Sequence, residues 1–245
     1  MSDVFIHSGH DVRLQLTEAL LMYRSGDGAV YATTHPIRVE SNDPERKVIG
    51  AGTPMTKESL AEFAQAVGAA TSFDGFIPDR LLYTRPNMIA WWAPEGIRKC
   101  WFKSPNKFIG TQVTEVAHPA MVFVATPGDW FVFALRESAR PTPKTKLQHS
   151  PHFNVWEGGR VCTGNVSLPK VIDASTIEQY EKAFYNSHFT HPNRQGATKY
   201  RGGVTALWRA QIKRPGLESM RAALHTSNEN LGQAIARITA RQKFI

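Results

Sequence analysis

Cysteine is scarce in this chain: only Cys100 and Cys162 occur among its 245 residues. Two thiols that form no Cys-x-x-Cys pair cannot supply the four ligands of a structural zinc site by themselves. They also do not resemble the disulfide framework of a small secreted domain. We therefore expect reduced thiols in a cytoplasmic protein, with no metal and no cofactor.

Long apolar runs are also lacking. No window approaches the roughly 18 consecutive apolar residues of a membrane span, so we expect no membrane association. The first residues contain no basic stretch followed by an apolar one, which argues against a signal peptide. Acidic residues are outnumbered: 21 Asp and Glu face 29 Lys and Arg, for a net charge of +8. This balance favours an acidic partner, such as nucleic acid or an acidic protein, without choosing between them.

The N-terminal part reads as a hairpin followed by a helix. Apolar stretches at residues 20–23 and 29–33 flank a turn-forming segment at residues 24–28, which predicts two paired strands. Residues 56–70 predict a helix with Thr56 as its N-cap. We assign residues 1–84 to this N-terminal hairpin-and-helix region.

Four strand-like segments follow. A turn-forming triplet separates the first from the second, and another separates the third from the fourth. Pro94-Glu95-Gly96 separates the first two segments, and Pro127-Gly128-Asp129 separates the last two. The pattern predicts a four-stranded antiparallel meander. The segments are Met88–Ala93, Ile97–Phe102, Ala120–Thr126 and Trp130–Leu135.

Regular structure is predicted to stop after the meander. Pro141 and Pro143 exclude a central strand or a helix interior, and the chain reads as a loop to about Lys170. A helix is predicted from Ser175, which forms a capping-box pattern with Glu178. Two further helices are predicted around residues 217–224 and 231–238. The tract 199–214 mixes basic and aromatic residues, which is typical either of aromatics that pack inward beside solvated charges or of a surface that binds single-stranded nucleic acid.

The long loop contains Cys162 in a setting that suits nucleophilic chemistry. Glycines at 158, 159 and 164 allow tight turns around it. A positive charge from Arg160 or His152 would favour the reactive thiolate, and the Asn154 amide could donate a hydrogen bond to an oxyanion. Together these groups indicate acyl transfer through a thioester. The alternative is a glycine-rich loop with an incidental thiol.

The spacing around Cys162 resembles that of ubiquitin-conjugating enzymes. Those enzymes carry His-Pro-Asn, then seven residues, then the active-site cysteine; here His152-Phe153-Asn154 precedes Cys162 at the same distance, with Phe153 in place of proline. The order of parts also agrees over residues 88–194. The resemblance implies an α+β fold with a ubiquitin-conjugating-like core, which we assign to residues 85–245 with the C-terminal helices.

The whole sequence looks closest to the PRTRC system protein B family, the prokaryotic ubiquitin-conjugating-enzyme-like family D. The resemblance is carried by residues 152–155 and 159–165 and by Thr33-Thr34-His35 in the N-terminal region. It implies a bacterial, often plasmid- or phage-associated system with three partners. These are a ThiF-like activating enzyme, a ubiquitin-like protein and a JAB-type peptidase.

The same resemblance implies roles for individual residues. Cys162 would accept the ubiquitin-like protein as a thioester, while Asn154 would stabilise the oxyanion or brace the loop. His188, His191 and Asn193 lie just past a helix, where conjugating enzymes place a gate over the active site. A histidine and a proline that simply end the helix are the alternative.

Three function hypotheses follow. The first is a thioester-forming conjugating enzyme. The second is a non-catalytic module that docks the ubiquitin-like protein or nucleic acid. The third is a cysteine hydrolase that pairs Cys162 with His152 or His188.

Overall fold

The computed structural model describes residues 16–26, 30–63, 76–164 and 166–241. The chain divides into two compact units, Met1–Ser72 and Phe73–Ile245. Our sequence-based boundary between residues 84 and 85 falls inside a strand of the second unit, Leu81–Arg85.

The first unit is a small antiparallel sheet with a helix. Its strands are β1 Glu18–Arg24, β2 Val30–Glu40, β3 Asp43–Ile49 and β4 Thr53–Pro54. Strands β1 and β2 pair antiparallel, with Leu21 opposite Thr33, so the predicted hairpin is confirmed. Helix α1 occupies residues 57–63. Its predicted cap is confirmed, because Thr56 Oγ1 accepts from the Ser59 amide at 3.2 Å. The predicted continuation of this helix to residue 70 lies outside the described residues.

The second unit mixes strands and helices, which confirms the α+β class. Its strands are β5 Leu81–Arg85, β6 Met88–Ala93, β7 Gly96–Lys103, β8 Thr111–His118, β9 Met121–Thr126, β10 Asp129–Ala134, β11 Lys146–His149, β12 His188–Phe189 and β13 Thr226–Asn230. Its helices are α2 Ile177–Tyr185, α3 Gly203–Lys213, α4 Leu217–Ala223 and α5 Leu231–Arg241. None of the helices in the described ranges is long and apolar enough to cross a membrane.

The predicted meander is right in one hairpin and wrong in the other. Strands β9 and β10 pair as expected, but β6 pairs with β9 and β5 rather than with β7. The main sheet has the order β13-β11-β10-β9-β6-β5. Strand β6 is almost entirely apolar and buried along its length, so it needs a sheet neighbour on each side and cover on both faces.

Strands β7 and β8 leave the main sheet and form a second one with the short strand β12. Strand β7 alternates exposed and buried side chains, as expected for a sheet with one wet face. Cys100 is fully buried within it, and burial raises the pKa of its thiol. Trp91 and Trp130 lie in the core, whereas Trp101 on β7 remains 37% exposed.

The C-terminal helices follow the predicted pattern with two corrections. The spacing of Ile177, Tyr180 and Phe184 places them on one helix face, and α2 buries all three. Its start is a 3₁₀ turn, Ala174–Thr176, and the capping box is formed by Asp173 and Thr176 rather than by Ser175 and Glu178. The Asp173 carboxylate is a stronger acceptor for the free amides at a helix start.

The sequence analysis missed several elements: strands β3, β4, β5, β8, β11, β12 and β13, and helix α3. Strand β11 lies inside the segment that was read as loop, and it joins β10 to β13. Helix α3 covers much of the basic and aromatic tract 199–214, where Trp208 is buried and donates through Nε1 to the Pro151 carbonyl at 2.8 Å. The largest aromatic group of this helix is therefore a core residue and not a stacking surface.

Candidate active site

Asn154 and Cys162 are joined directly by the backbone. The Cys162 amide donates to the Asn154 carbonyl at 2.7 Å, and Val155 bridges Val161 in an antiparallel pair. The residues between them close into a loop around the 3₁₀ turn Glu157–Gly159. The predicted nucleophile and the predicted amide are thus neighbours, and Cys162 is only partly buried.

The loop is anchored on strand β10. The Val161 amide donates to the Trp130 carbonyl at 2.9 Å, and Arg160 bridges Phe131. The Arg160 guanidinium lies 3.6 Å from the Asp129 carboxylate, so part of the charge that we expected to favour a thiolate is offset. The main sheet therefore determines where the base of the Cys162 loop lies.

Gly159 is the tightest point of this loop. Its φ is +86°, and a Cβ added there would lie 2.6 Å from the Phe133 ring and 3.0 Å from the Val132 carbonyl oxygen. Both the backbone conformation and the available space therefore require glycine at this position.

Gly159→Ala should lower the free energy of unfolding by about 3 kcal/mol, because a positive-φ cost of roughly 1–2 kcal/mol adds to overpacking of roughly 1–3 kcal/mol. Gly128→Ala is the matched control: its φ is +77°, but a Cβ there meets nothing within 4 Å. Chemical denaturation of both variants measures the difference. Equal losses at the two positions would contradict the close approach to Phe133.

The Asn154 side chain ties the loop to the segment after helix α2. Its Nδ2 donates to the His188 carbonyl at 2.6 Å, and its Oδ1 accepts from the Thr190 amide at 3.4 Å. The backbone N–H of Asn193 donates to the Phe153 carbonyl at 2.9 Å. The structure therefore brings the residues that we predicted as a gate against the segment that contains Asn154.

In the segment after helix α2, the two histidines that we predicted as part of a gate face solvent. His188 and His191 are exposed, and the His191 Nδ1 lies 3.0 Å from Thr190 Oγ1. Strand β12 pairs parallel with β7, which places His188 beside Trp101. These rings are accessible to an incoming molecule.

His152 lies in the core instead. Its Nδ1 bonds Ser150 Oγ at 2.8 Å and its Nε2 bonds His118 Nδ1 at 3.0 Å. Burial, with a further contribution from His118, lowers the pKa of His152 well below its ordinary value. Both ring nitrogens are therefore engaged, which leaves neither for a cysteine–histidine pair with Cys162.

Phe153, which replaces the proline of the familiar motif, is also a core residue. It is buried, and its ring meets Phe102 of β7 edge-on at 6.2 Å between centroids. The aromatic side chain fills space between the active-site segment and the second sheet. The departure at this position therefore has a packing reason.

Two arginines that sequence reasoning missed hold the loop from outside. Arg194 Nη2 lies 3.1 Å from Glu157, and Arg194 Nη1 lies 2.7 Å from His149 Nδ1. Arg237 Nη2 donates to the Gly158 carbonyl at 3.1 Å. Burial, together with the charge of Arg194, lowers the pKa of His149. No local pattern distinguishes these two from other surface arginines, since their partners are remote in sequence.

Comparison with known proteins agrees with the geometry. The family model described as Prokaryotic E2 family D matches residues 56–218. The chain belongs to prokaryotic E2 family D. The matched part of this family member contains Asn154 and Cys162 as well as the segment 188–193, which we predicted as a gate. Family D membership makes the chain ubiquitin-conjugating-like and suggests, in general, an activating enzyme and a ubiquitin-like protein as partners. Neither the curated proteins nor the solved structures gave a match.

Proposed function

We propose that this chain accepts a ubiquitin-like protein as a thioester on Cys162 and passes it to an amine. The observation that carries the proposal is the partly accessible Cys162, hydrogen-bonded through its amide to Asn154 in a loop that strand β10 anchors. A nucleophile in a well-supported loop suits repeated acyl transfer.

The chemistry needs two exchanges at one carbonyl carbon. The Cys162 thiolate attacks the activated C-terminal carbonyl of the ubiquitin-like protein, and the leaving group departs to the activating enzyme. An amine nitrogen then attacks the thioester, the C–S bond breaks, and the thiolate returns to Cys162. The amine loses its proton to solvent or to a base, and the product is an amide.

Asn154 has a bracing role in this proposal. One of its Nδ2 hydrogens is already given to the His188 carbonyl, and its Oδ1 accepts the Thr190 amide. These two bonds hold the segment over which an incoming amine would pass. Oxyanion stabilisation would have to use the second Nδ2 hydrogen, so the brace is the more direct assignment.

The partners that we propose are those of a PRTRC system, with this chain as its protein B. A ThiF-like enzyme would activate the ubiquitin-like protein, and a JAB-type peptidase would process it. The net charge of +8 suits an acidic partner. Family membership supports the general pair of partners, and the PRTRC assignment rests on the sequence resemblance.

Asn154→Ala should slow aminolysis of the charged protein about 10²-fold, because loss of the brace lets the 188–190 segment move. Amide exchange at Thr190 should accelerate in the same variant, which a pure oxyanion role does not predict. Discharge to free lysine and hydrogen exchange measure the two effects. Gln179→Ala, which truncates an exposed amide on α2, is the control. A slowed discharge with unchanged Thr190 exchange would favour the oxyanion role.

A charging assay tests the proposal directly. The purified chain is mixed with the activating enzyme and ubiquitin-like protein encoded beside it and with ATP, and then run on a non-reducing gel. A heavier band that thiol reductant removes is the expected result. No band, in the presence of a demonstrably active activating enzyme, would leave the chain as a docking module.

A further inference from the structure

Arg194 is a mostly buried arginine that joins three parts of the second unit. It directly follows the segment that we predicted as a gate, and only 12% of its side chain is exposed. Its Nη2 lies 3.1 Å from a Glu157 carboxylate oxygen in the active-site loop, and its Nη1 lies 2.7 Å from His149 Nδ1 at the end of strand β11. Its Nε donates to the Gln195 carbonyl at 3.3 Å. All three guanidinium nitrogens are therefore engaged, which fixes the orientation of the side chain.

The contact with His149 also defines the protonation state of that histidine. A guanidinium has hydrogen-bond donors only, so His149 Nδ1 accepts the bond with its lone pair. The ring is then neutral and carries its proton on Nε2. Burial, with a further contribution from the charge of Arg194, lowers the pKa of His149, in agreement with a neutral ring. His149 is therefore the acceptor that orients one arm of the arginine fork.

A second histidine holds the backbone beside this arginine. His225 Nδ1 donates to the Gly196 carbonyl at 2.7 Å, and the His225 carbonyl accepts from the backbone N–H of His149 at 2.8 Å. The two imidazole rings meet edge-on, 5.5 Å apart between centroids. Arg194 therefore projects from a segment that is itself fixed to the end of strand β11.

Arg194 is the third tie between the segment after helix α2 and the active-site loop. The other two are made by the Asn154 side chain and by the Phe153 carbonyl, both at the start of the loop. Arg194 instead holds Glu157, in the turn from which the chain returns to Cys162. Because the arginine is already oriented, this ion pair costs less side-chain entropy than one between two free surface chains.

We propose that Arg194 is a positioning residue for acyl transfer: oriented by His149, it holds Glu157 and thereby the path of the loop that ends at Cys162. This role rests on the proposed thioester function, because it concerns how the same cysteine is presented. Arg194 acts through the loop and touches no substrate. A misplacement of the reacting groups by about 1 Å costs roughly 10²-fold in rate, so a tie outside the reacting centre is enough to affect transfer.

Amide hydrogen exchange on the full chain tests the positioning without any charging step. Arg194→Met keeps an apolar stem but removes the fork, so the Val161 and Cys162 backbone amides should exchange about tenfold faster. Arg221→Met is the matched control, because Arg221 also pairs with a glutamate, Glu95 at 3.3 Å, but lies on helix α4. Exchange at the two amides should change less than about twofold in the control. Unchanged exchange in Arg194→Met would overturn the proposal.

Conservative variants separate positioning from a general loss of packing. Arg194→Lys keeps the charge, but one ammonium cannot serve both His149 and Glu157, so exchange should be nearly as fast as in Arg194→Met. His149→Asn places an acceptor oxygen near the position of Nδ1 and should keep exchange slow, whereas His149→Leu offers no acceptor and should accelerate it. Equal exchange in the two His149 variants would contradict the orienting role of His149. Thermal unfolding midpoints check that each variant is folded.

Discharge of the charged chain to free lysine then tests the effect on transfer. Arg194→Met should slow discharge about tenfold or more, and Arg221→Met should remain within about twofold of the unmodified chain. Faster loop exchange with an unchanged discharge rate would show a purely structural tie and refute the positioning role. If the unmodified chain never becomes charged, the thioester proposal fails by itself, and the exchange measurements still decide whether Arg194 fixes the loop.

Discussion

Cys162→Ser abolishes the reductant-sensitive adduct in the charging assay; that is the result we expect, with the largest effect of any single substitution. A thioester requires the sulfur, and a serine hydroxyl is a far weaker nucleophile near neutral pH. If serine does accept the acyl group, the product is an oxyester that thiol reductant does not remove. Cys162→Ala offers no nucleophile and should give no adduct of either kind.

The second cysteine provides the control for this experiment. Cys100 is fully buried in strand β7, and burial raises its pKa, so it is both inaccessible and protonated. Cys100→Ala should retain the adduct, although the lost packing will lower stability. An adduct that persists in Cys162→Ala and disappears in Cys100→Ala would contradict the assignment of the nucleophile.

The second large effect is a loss of stability on mild acidification. His118 and His152 are both buried, with His118 Nδ1 and His152 Nε2 3.0 Å apart. One of these nitrogens donates and the other accepts, so the pair is stable when both rings are neutral. Burial, aided by the nearby Arg98, lowers the pKa of His118 to about 3.

The direction of the pH dependence of stability follows from proton uptake on unfolding. Between pH 6.5 and about 3 the unfolded chain protonates His118 while the folded chain keeps it neutral, and the lowered pKa of His152 acts in the same direction. The unfolding free energy therefore falls as the pH drops, by about 1.4 kcal/mol per pH unit for each such histidine. For His118 alone the loss should reach about 2 kcal/mol by pH 5. His152 adds to it in the same direction.

Chemical denaturation between pH 7 and pH 5 measures this dependence. A double variant, His118→Leu with His152→Phe, should reduce this dependence and leave the part due to His149, whose pKa is also lowered. His191→Gln removes an exposed imidazole and is the control. An unaltered slope in the double variant would contradict the assignment. NMR titration of the unmodified chain gives a second readout: the two buried imidazole signals should not titrate down to pH 5.

Part of the local structure was predictable from the sequence. The hairpin β1–β2, the Thr56 cap and the buried face of helix α2 each depend on residues within one short window. The spacing of Asn154 and Cys162 is also a local feature, because the loop between them closes on itself through short-range hydrogen bonds. Propensity, capping and apolar periodicity act over such distances.

Pairing and burial were decided only by the tertiary structure. The sequence places β6 next to β7, yet β6 pairs with β9 and β5, because its apolar faces must both be covered. His152 looked available to Cys162, but the core binds both of its nitrogens.

Sequence alone thus determined the α+β class, the loop that contains Cys162 and its family resemblance. The tertiary structure decided which groups brace that loop and which histidines lie in the core. Arg194 and Glu157, or His118 and His152, are far apart in the chain. No local pattern encodes such contacts, because they arise only when distant segments bury their apolar surface against each other.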